Sequence, residues 1–211
     1  MANATNLLAD TAAERLGESA AVLREIMDAP DKGIPSDLLS KARCLVVVPG
    51  VKKAGFIIGA KYGRGFVVCR KDASARWGAP AAIRVEGGSF GFQIGVSETD
   101  VVMLVMDQRS MDGILSSKFT LGGGAEVAAG PVGRSATAQT DATMRAKILS
   151  YSRSRGVFAG LALTGATLRQ DKDENKAMYG KALTNKQIIN GQVTRPPAAA
   201  DLLDLLNRYS R

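Results

Sequence analysis

The sequence contains no histidine among its 211 residues. Histidine is the usual general base near neutral pH, the usual base of a catalytic triad and the commonest metal ligand. Its absence therefore argues against the enzymes and metal sites that depend on it. We predict a protein without catalytic activity, metal or cofactor.

Aromatic residues are also scarce, at 5% of the chain, with one Trp, four Tyr and six Phe. Proteins that hold single-stranded nucleic acid stack its bases on aromatic side chains. Most of the phenylalanines fall in core-like runs, so few such side chains remain for stacking. Nucleic acid is therefore disfavoured as a partner.

The sequence has two cysteines, Cys44 and Cys69, in separate apolar runs. They show neither a CxxC motif nor metal-ligand spacing. We favour two buried thiols, with a disulfide as the alternative.

No apolar run approaches the roughly 18–20 residues that cross a bilayer, and the N-terminus lacks a signal-peptide pattern. We expect a soluble chain that associates peripherally with a membrane. A location in the cell envelope is the expectation if a leader has been removed.

The net charge of +8 is concentrated in one part of the chain. Residues 30–85 carry 11 Lys and Arg against 3 Asp and Glu, whereas the remainder has 17 of each. A basic block within a segment that folds favours an anionic partner. A solvated basic surface without a ligand is the alternative.

Helical periodicity marks the two ends of the chain. Residues 5–28 form a predicted amphipathic helix. Its net charge is −3, because it contains five acidic residues and two basic ones, Arg15 and Arg24. Helices that lie on membranes are normally cationic on their polar face, so this one is expected to pack on the core. Residues 171–209 are predicted to hold further helices, and a short helical turn is expected at Ser36–Lys41.

Residues 43–170 form the predicted β-rich core. Cys44–Val48 is a continuous β-branched run, and Tyr62–Gly65 is interpreted as the turn of the first hairpin. The apolar alternation changes phase near Gly87-Gly88, which predicts a β-bulge there. Residues 144–155 and 157–168 are predicted to be two long strands. We expect one α+β domain over residues 1–211, with a curved, mainly antiparallel sheet or partly closed barrel flanked by terminal helices.

Two short motifs imitate known sites. Gly87-Gly88-Ser89-Phe90-Gly91 matches the GxSxG pattern of a hydrolase elbow, but the strand alternation continues past Ser89 and no histidine can activate it. Asp171, Asp173 and Asn175 resemble the start of a calcium loop whose later ligands are missing. An acidic helix N-terminus is the better interpretation of this cluster.

Two groups of cations could contact an anionic partner. One surrounds the predicted first hairpin, and the other shares a face of the predicted strand at 144–155, where Tyr151 accompanies the cations. A solvated outer face is the alternative for this strand. The predicted phosphate contacts are Lys52, Lys53, Lys61, Arg64, Arg70, Arg153 and Arg155.

An ordered series of motifs over about residues 35–185 resembles the SYLF domain family, a lipid-binding and yeast actin-binding module, in its bacterial-type single-domain form. The segments that carry this resemblance are Ala42–Arg70 with its Pro49–Phe56 and Tyr62–Gly65 motifs, Trp77–Pro80, Asp100, Leu121-Gly122, Gly130–Arg134, Tyr151–Gly160 and Asn175–Gly180.

The resemblance implies a lipid-binding domain that is linked, in eukaryotic members, to phosphoinositides, membrane remodelling and actin. Bacterial members are often envelope proteins or lipoproteins, and the family has no established catalytic activity. The leading hypothesis is therefore non-enzymatic binding of anionic phospholipid at a membrane surface through the basic block. The alternative is a module that binds a protein partner, such as an actin filament.

Overall fold

A mostly antiparallel sheet forms the centre of the fold in the computed structural model, which describes residues 4–29, 33–55, 58–72, 74–90, 95–123, 125–132, 146–154, 157–160 and 165–211. The nine strands of the described residues are β1 (Cys44–Gly55), β2 (Ile58–Cys69), β3 (Ala81–Phe90), β4 (Gly95–Val105), β5 (Lys118–Thr120), β6 (Val127–Ala129), β7 (Ile148–Ser154), β8 (Val157–Gly160) and β9 (Thr167–Gln170). Their order is β5-β9-β3-β2-β1-β4-β7-β6, with β8 paired to β7, and β6 is parallel to β7. The sheet curls into a half-barrel, which confirms the predicted fold class.

Helices flank this sheet in the described ranges. They are α1 (Ala4–Asp28), α2 (Ser36–Lys41), α3 (Gln108–Ile114), α4 (Lys172–Tyr179), α5 (Asn185–Asn190) and α6 (Ala200–Tyr209), the last preceded by a 3-10 turn at Pro197–Ala199. The predicted terminal helices are confirmed, and none of the described helices is long and apolar enough to cross a membrane.

Both faces of the sheet are buried, as the continuous apolar run of β1 requires. Leu45 and Val47 face the first core, which α1 and α6 cover, while Val46 and Val48 face the second core, which α3 and α5 cover. Each large aliphatic side chain buried in this way contributes roughly 1.5–3 kcal/mol. Helix α1 supplies Leu16, Ala20, Leu23 and Ile26 to the first core, so it packs on the protein's own core as predicted.

The predicted turn at Tyr62–Gly65 is wrong. These residues lie inside β2, and the connection from β1 falls between Gly55 and Ile58. Glycine is needed at positions 63 and 65 because β1 passes too close for a side chain: a Cβ on Gly65 would lie 2.0 Å from the Val47 carbonyl oxygen.

The predicted bulge at Gly87-Gly88 is also wrong. The pairing of β2 with β3 keeps one register from Ile58–Phe90 to Val67–Ala81. The irregularity lies instead in β1, where the register with both neighbouring strands shifts around Pro49-Gly50 and Gly50 takes a φ of 57°. At Gly87, a Cβ would lie 3.4 Å from the Cα of Ala166, so this glycine accommodates a neighbouring segment.

The second predicted long strand, 157–168, divides into two strands on different parts of the sheet. β8 pairs with β7, whereas β9 pairs with β3 and β5, and Gly165 between them has a φ of 86°. The first predicted strand is shorter than expected and begins at Ile148. Residues 144, 145 and 155, and residues 161–164 of the second strand, lie outside the described residues.

Cys44 and Cys69 form a disulfide, so the favoured prediction of two thiols is wrong. The cause is the register of the first hairpin, which places the two cysteines directly opposite each other on β1 and β2. Both residues are buried in the second core.

The disulfide closes a loop with a sequence separation of 25 residues, and a crosslink of that span contributes about 3 kcal/mol through the unfolded chain. We expect Cys44→Ala/Cys69→Ala to lower the free energy of unfolding by about this amount, measured by urea denaturation. A reductant should destabilise the wild type and leave the double variant unchanged. Equal sensitivity of the two proteins to reductant would contradict the assignment.

Candidate functional site

Three of the predicted contacts lie together near the end of the sheet where β1 and β2 connect. Lys53 lies directly opposite Lys61, and Lys52 lies opposite Tyr62. Lys52 is exposed, Lys53 and Lys61 are half-buried, and Tyr62 is 47% exposed. We call these four residues the lysine ribbon.

The lysine ribbon presents charge on both faces of the sheet. Residues that oppose each other across two strands share a face, so Lys53 and Lys61 project from one face and Lys52 and Tyr62 from the other. Glu98 of β4 lies opposite Lys52 in the register and is the nearest acidic neighbour along the pairing. Tyr62 is not among the contacts predicted from the sequence, although its position directly after Lys61 within the basic block could have indicated it.

Arg64 has a different environment, because it binds two carboxylates inside the fold. Its guanidinium lies 2.6 Å from Asp171 and 3.2 Å from Glu174, and Arg15 of α1 also pairs with Glu174. Both acidic side chains are almost fully buried. This cluster joins α1, β2 and α4, so Arg64 positions helices on the sheet.

Burial sets the protonation behaviour of this cluster. Desolvation raises the pKa of Glu174 above its ordinary value of 4.5, and the neighbouring charges of Arg15 and Arg64 oppose this increase. Asp171 also accepts a hydrogen bond from the backbone N–H of Glu174 and thereby caps α4.

Arg70 is buried, with 4% of its surface exposed. It donates hydrogen bonds to the carbonyl oxygens of Leu39, Ser40 and Ala42 at the end of α2, and its guanidinium lies 4.6 Å from the centre of the Trp77 ring. Carbonyl groups at a helix C-terminus attract a cation. Arg70 therefore fixes α2 to the sheet.

Arg153 joins β7 to two other elements. It pairs with Asp100 at 2.6 Å and with Glu25 of α1. Tyr151, two positions before Arg153 on the same face, is fully buried in the first core, so the strand face is covered at this residue. Lys147 pairs with Asp107 at 3.5 Å. Arg145 and Arg155 lie outside the described residues.

The acidic cluster that imitates a calcium loop has a structural role. Asp171 caps α4, and the Asn175 side chain accepts from the Ala82 N–H and donates to Asn185. No group of three or more His, Cys, Asp or Glu side chains in the described ranges is placed to hold a metal ion.

Comparison with known proteins gives the family. The family described as "Ysc84: Las17-binding protein actin regulator" matches residues 86–209. The chain belongs to the Ysc84/SYLF domain family. The family resemblance of the sequence motifs is thereby confirmed.

Named relatives of this Ysc84/SYLF chain are longer than the chain itself. The bovine SH3 domain-containing YSC84-like protein 1 is 34% identical over 199 residues, which cover 92% of this chain and 58% of the relative. Protein YSC84 of Saccharomyces cerevisiae is 37% identical over 180 residues, 83% of this chain and 38% of the relative. SH3 domain-containing protein PJ696.02 of Schizosaccharomyces pombe is 37% identical over 177 residues, 82% of this chain and 41% of the relative.

The family description and the names of the relatives are those of actin-linked or interaction proteins and not of enzymes. Ser89, the candidate nucleophile, lies within β3, and its backbone pairs with Gly59 of β2. The hydrolase elbow needs a sharp turn from strand to helix at the serine, and β3 has no such turn at Ser89.

The cluster around Arg64 generates a prediction about stability. We expect Arg64→Ala to lower the free energy of unfolding by about 3 kcal/mol, because it leaves two buried carboxylates with less positive charge nearby. Lys61→Ala on the same strand should change it by less than about 0.5 kcal/mol. Denaturant unfolding compares the two, and equal effects would contradict the structural role of Arg64.

The pKa of Glu174 generates a second prediction. Because the folded pKa is raised, the folded chain holds a proton that the unfolded chain has lost, and wild-type stability falls as the pH rises from 4.5 through the folded value. Glu174→Gln removes this dependence. The stability of this variant relative to wild type should therefore increase as the pH rises through that window, as measured by urea unfolding. A relative decrease would show that the two arginines outweigh burial.

Proposed function

We propose that this Ysc84/SYLF chain is a non-catalytic protein-interaction module that binds an acidic surface of an actin filament through the lysine ribbon. The observation that carries the proposal is the match to a family described as an actin regulator, together with the solvent-accessible lysines and the exposed tyrosine of the lysine ribbon. Arg64 and Arg70 of the basic block, and Arg153 of β7, make contacts inside the fold.

The chemistry of the lysine ribbon suits a protein partner. An exposed tyrosine among cations offers a rigid apolar surface with a hydroxyl group, and tyrosine is enriched among the residues that dominate interface energetics. Each rim charge contributes about 0.2–1 kcal/mol and mainly increases the rate of association. The ribbon is therefore expected to give salt-sensitive binding.

Co-sedimentation with actin filaments tests this proposal. Lys52→Gln/Lys53→Gln/Lys61→Gln should weaken binding about 10-fold, because three contacts of roughly 0.5 kcal/mol each are lost. Lys176→Gln/Lys181→Gln/Lys186→Gln is the matched control, since these three lysines are exposed and the charge change is the same. The control should bind like wild type.

Two double variants resolve which face of the ribbon makes the contact. Lys52→Gln/Tyr62→Ala changes one face, and Lys53→Gln/Lys61→Gln changes the other. Unchanged binding by the triple variant and both doubles, or equal loss in the matched control, would refute the ribbon as the contact surface.

Anionic phospholipid is the second candidate partner, favoured by the combination of lysines with an exposed tyrosine. Tyrosine is enriched at membrane–water interfaces, and each lysine near an anionic membrane contributes about 1 kcal/mol. Three lysines then correspond to about 100-fold in affinity. This contact does not need Arg64, Arg70 or Arg153, which are among the seven phosphate contacts predicted from the sequence.

Liposome co-sedimentation at low and high salt measures this second activity. We expect vesicles with phosphatidylserine to bind the wild type at low salt and to release it at high salt. The triple lysine variant should remain in the supernatant. Equal pelleting with neutral vesicles would exclude the electrostatic contact.

A further inference from the structure

A second basic region surrounds an open cavity between the end of α6 and the segment that follows β2. Its volume is about 730 Å³, and its lining includes Arg70, Arg76, Asp204, Arg208, Ser210 and Arg211. We propose that this cavity binds a small anion that carries two or more phosphate groups. The inference does not depend on the lysine ribbon or on a protein partner.

Three of the four arginines lack an internal partner. Arg76, Arg208 and Arg211 are exposed, and within the part of the chain that the structure describes they make no ion pair or side-chain hydrogen bond. Arg64 and Arg153, by contrast, are each paired with two carboxylates. Free guanidinium groups that converge on one concave surface have their donors available for a ligand.

The floor of the cavity is held in place by buried groups. Arg70 is fixed by three backbone carbonyls and lies over Trp77. The Trp77 indole N–H donates to the Ser210 hydroxyl at 2.9 Å, and that hydroxyl donates to the Leu206 carbonyl oxygen at 2.6 Å. A site built on fixed groups loses less conformational entropy when a ligand binds.

The local field remains positive after the opposing groups are included. Asp204 contributes one negative charge, and the C-terminus of α6 contributes the equivalent of roughly half of one. The four guanidinium groups outweigh both. The lining therefore attracts an anion and repels a cation.

Phosphate is the anion that best fits these donors. The planar guanidinium group binds phosphate oxygens through two parallel hydrogen bonds, which a lysine ammonium cannot do. Ligand cavities typically measure about 300–1,000 Å³, so this one has room for more than a single phosphate group. Soluble polyphosphates and phosphorylated lipid head groups share this chemistry.

The cavity is separate from the lysine ribbon. Arg70 directly follows β2, nine positions after Lys61, and a strand advances about 3.3 Å per residue. The two regions thus lie roughly 30 Å apart along the strand. Variants in one region can therefore be interpreted independently of the other.

Isothermal titration calorimetry with pyrophosphate and with inositol 1,4,5-trisphosphate tests the inference. We expect saturable binding to the wild type that weakens at least about 10-fold in Arg76→Gln/Arg208→Gln. Arg109→Gln/Arg195→Gln is the matched control, because these arginines are also exposed and the charge change is identical. The control should keep its affinity within about twofold, and thermal unfolding of both variants should match wild type.

Vesicles that contain a phosphoinositide distinguish the two sources of phosphate. Binding to vesicles that pyrophosphate displaces, and that Arg76→Gln/Arg208→Gln loses, supports a lipid head group in the cavity. Binding of the soluble ligands alone supports a free polyphosphate. Absence of saturable binding to every probe, or equal loss in the control variant, overturns the inference. Unchanged actin binding in the lysine triple variant, with phosphate binding to the cavity retained, would refute only the proposed function.

Discussion

Two carboxylates buried between the helices and the sheet determine how the two ends of the chain meet. Asp171 and Glu174 begin α4, and their charges are compensated by Arg15 from α1 and Arg64 from β2. A buried charge without a partner would cost several kcal/mol, so α1 and α4 can pack on β2 only in the arrangement that brings these groups together. Burial of the apolar cores drives folding, and this charged cluster specifies how α1 and α4 pack on β2.

Buried arginines and surface lysines of the basic block have different roles. Arginine has a planar group with several fixed donors. Arg64 and Arg70 of the basic block, and Arg153 of β7, use it to bind carboxylates or helix-end carbonyl groups inside the fold. The lysines of the ribbon remain at the surface near the end of the sheet. Net charge along the sequence therefore overstates the charge that is available to a ligand.

Local patterns in the sequence identified most of the elements but could not identify partners distant in sequence. The run Cys44–Val48 indicates a strand buried on both faces, and the capping box from Thr184 to Gln187 could have indicated α5. Glycines at 63 and 65 resemble a turn until the closeness of β1 is known. Arg64 and Asp171 are 107 residues apart, and no local signal pairs them. The disulfide likewise depends on a register that the misplaced turn obscured.

Burial of both sheet faces leaves this family member few places for recognition. Helices α1 and α6 cover one face, and α3 and α5 cover the other, so a partner must approach the end of the strands or a gap between layers. The lysine ribbon lies near the end of β1 and β2, and the arginine-lined cavity lies where α6 stops beside the segment after β2. Roughly 30 Å of strand separates the two regions, so the two proposed ligands would not compete for space. Any coupling between them would have to pass through β2 and the helices fixed to it.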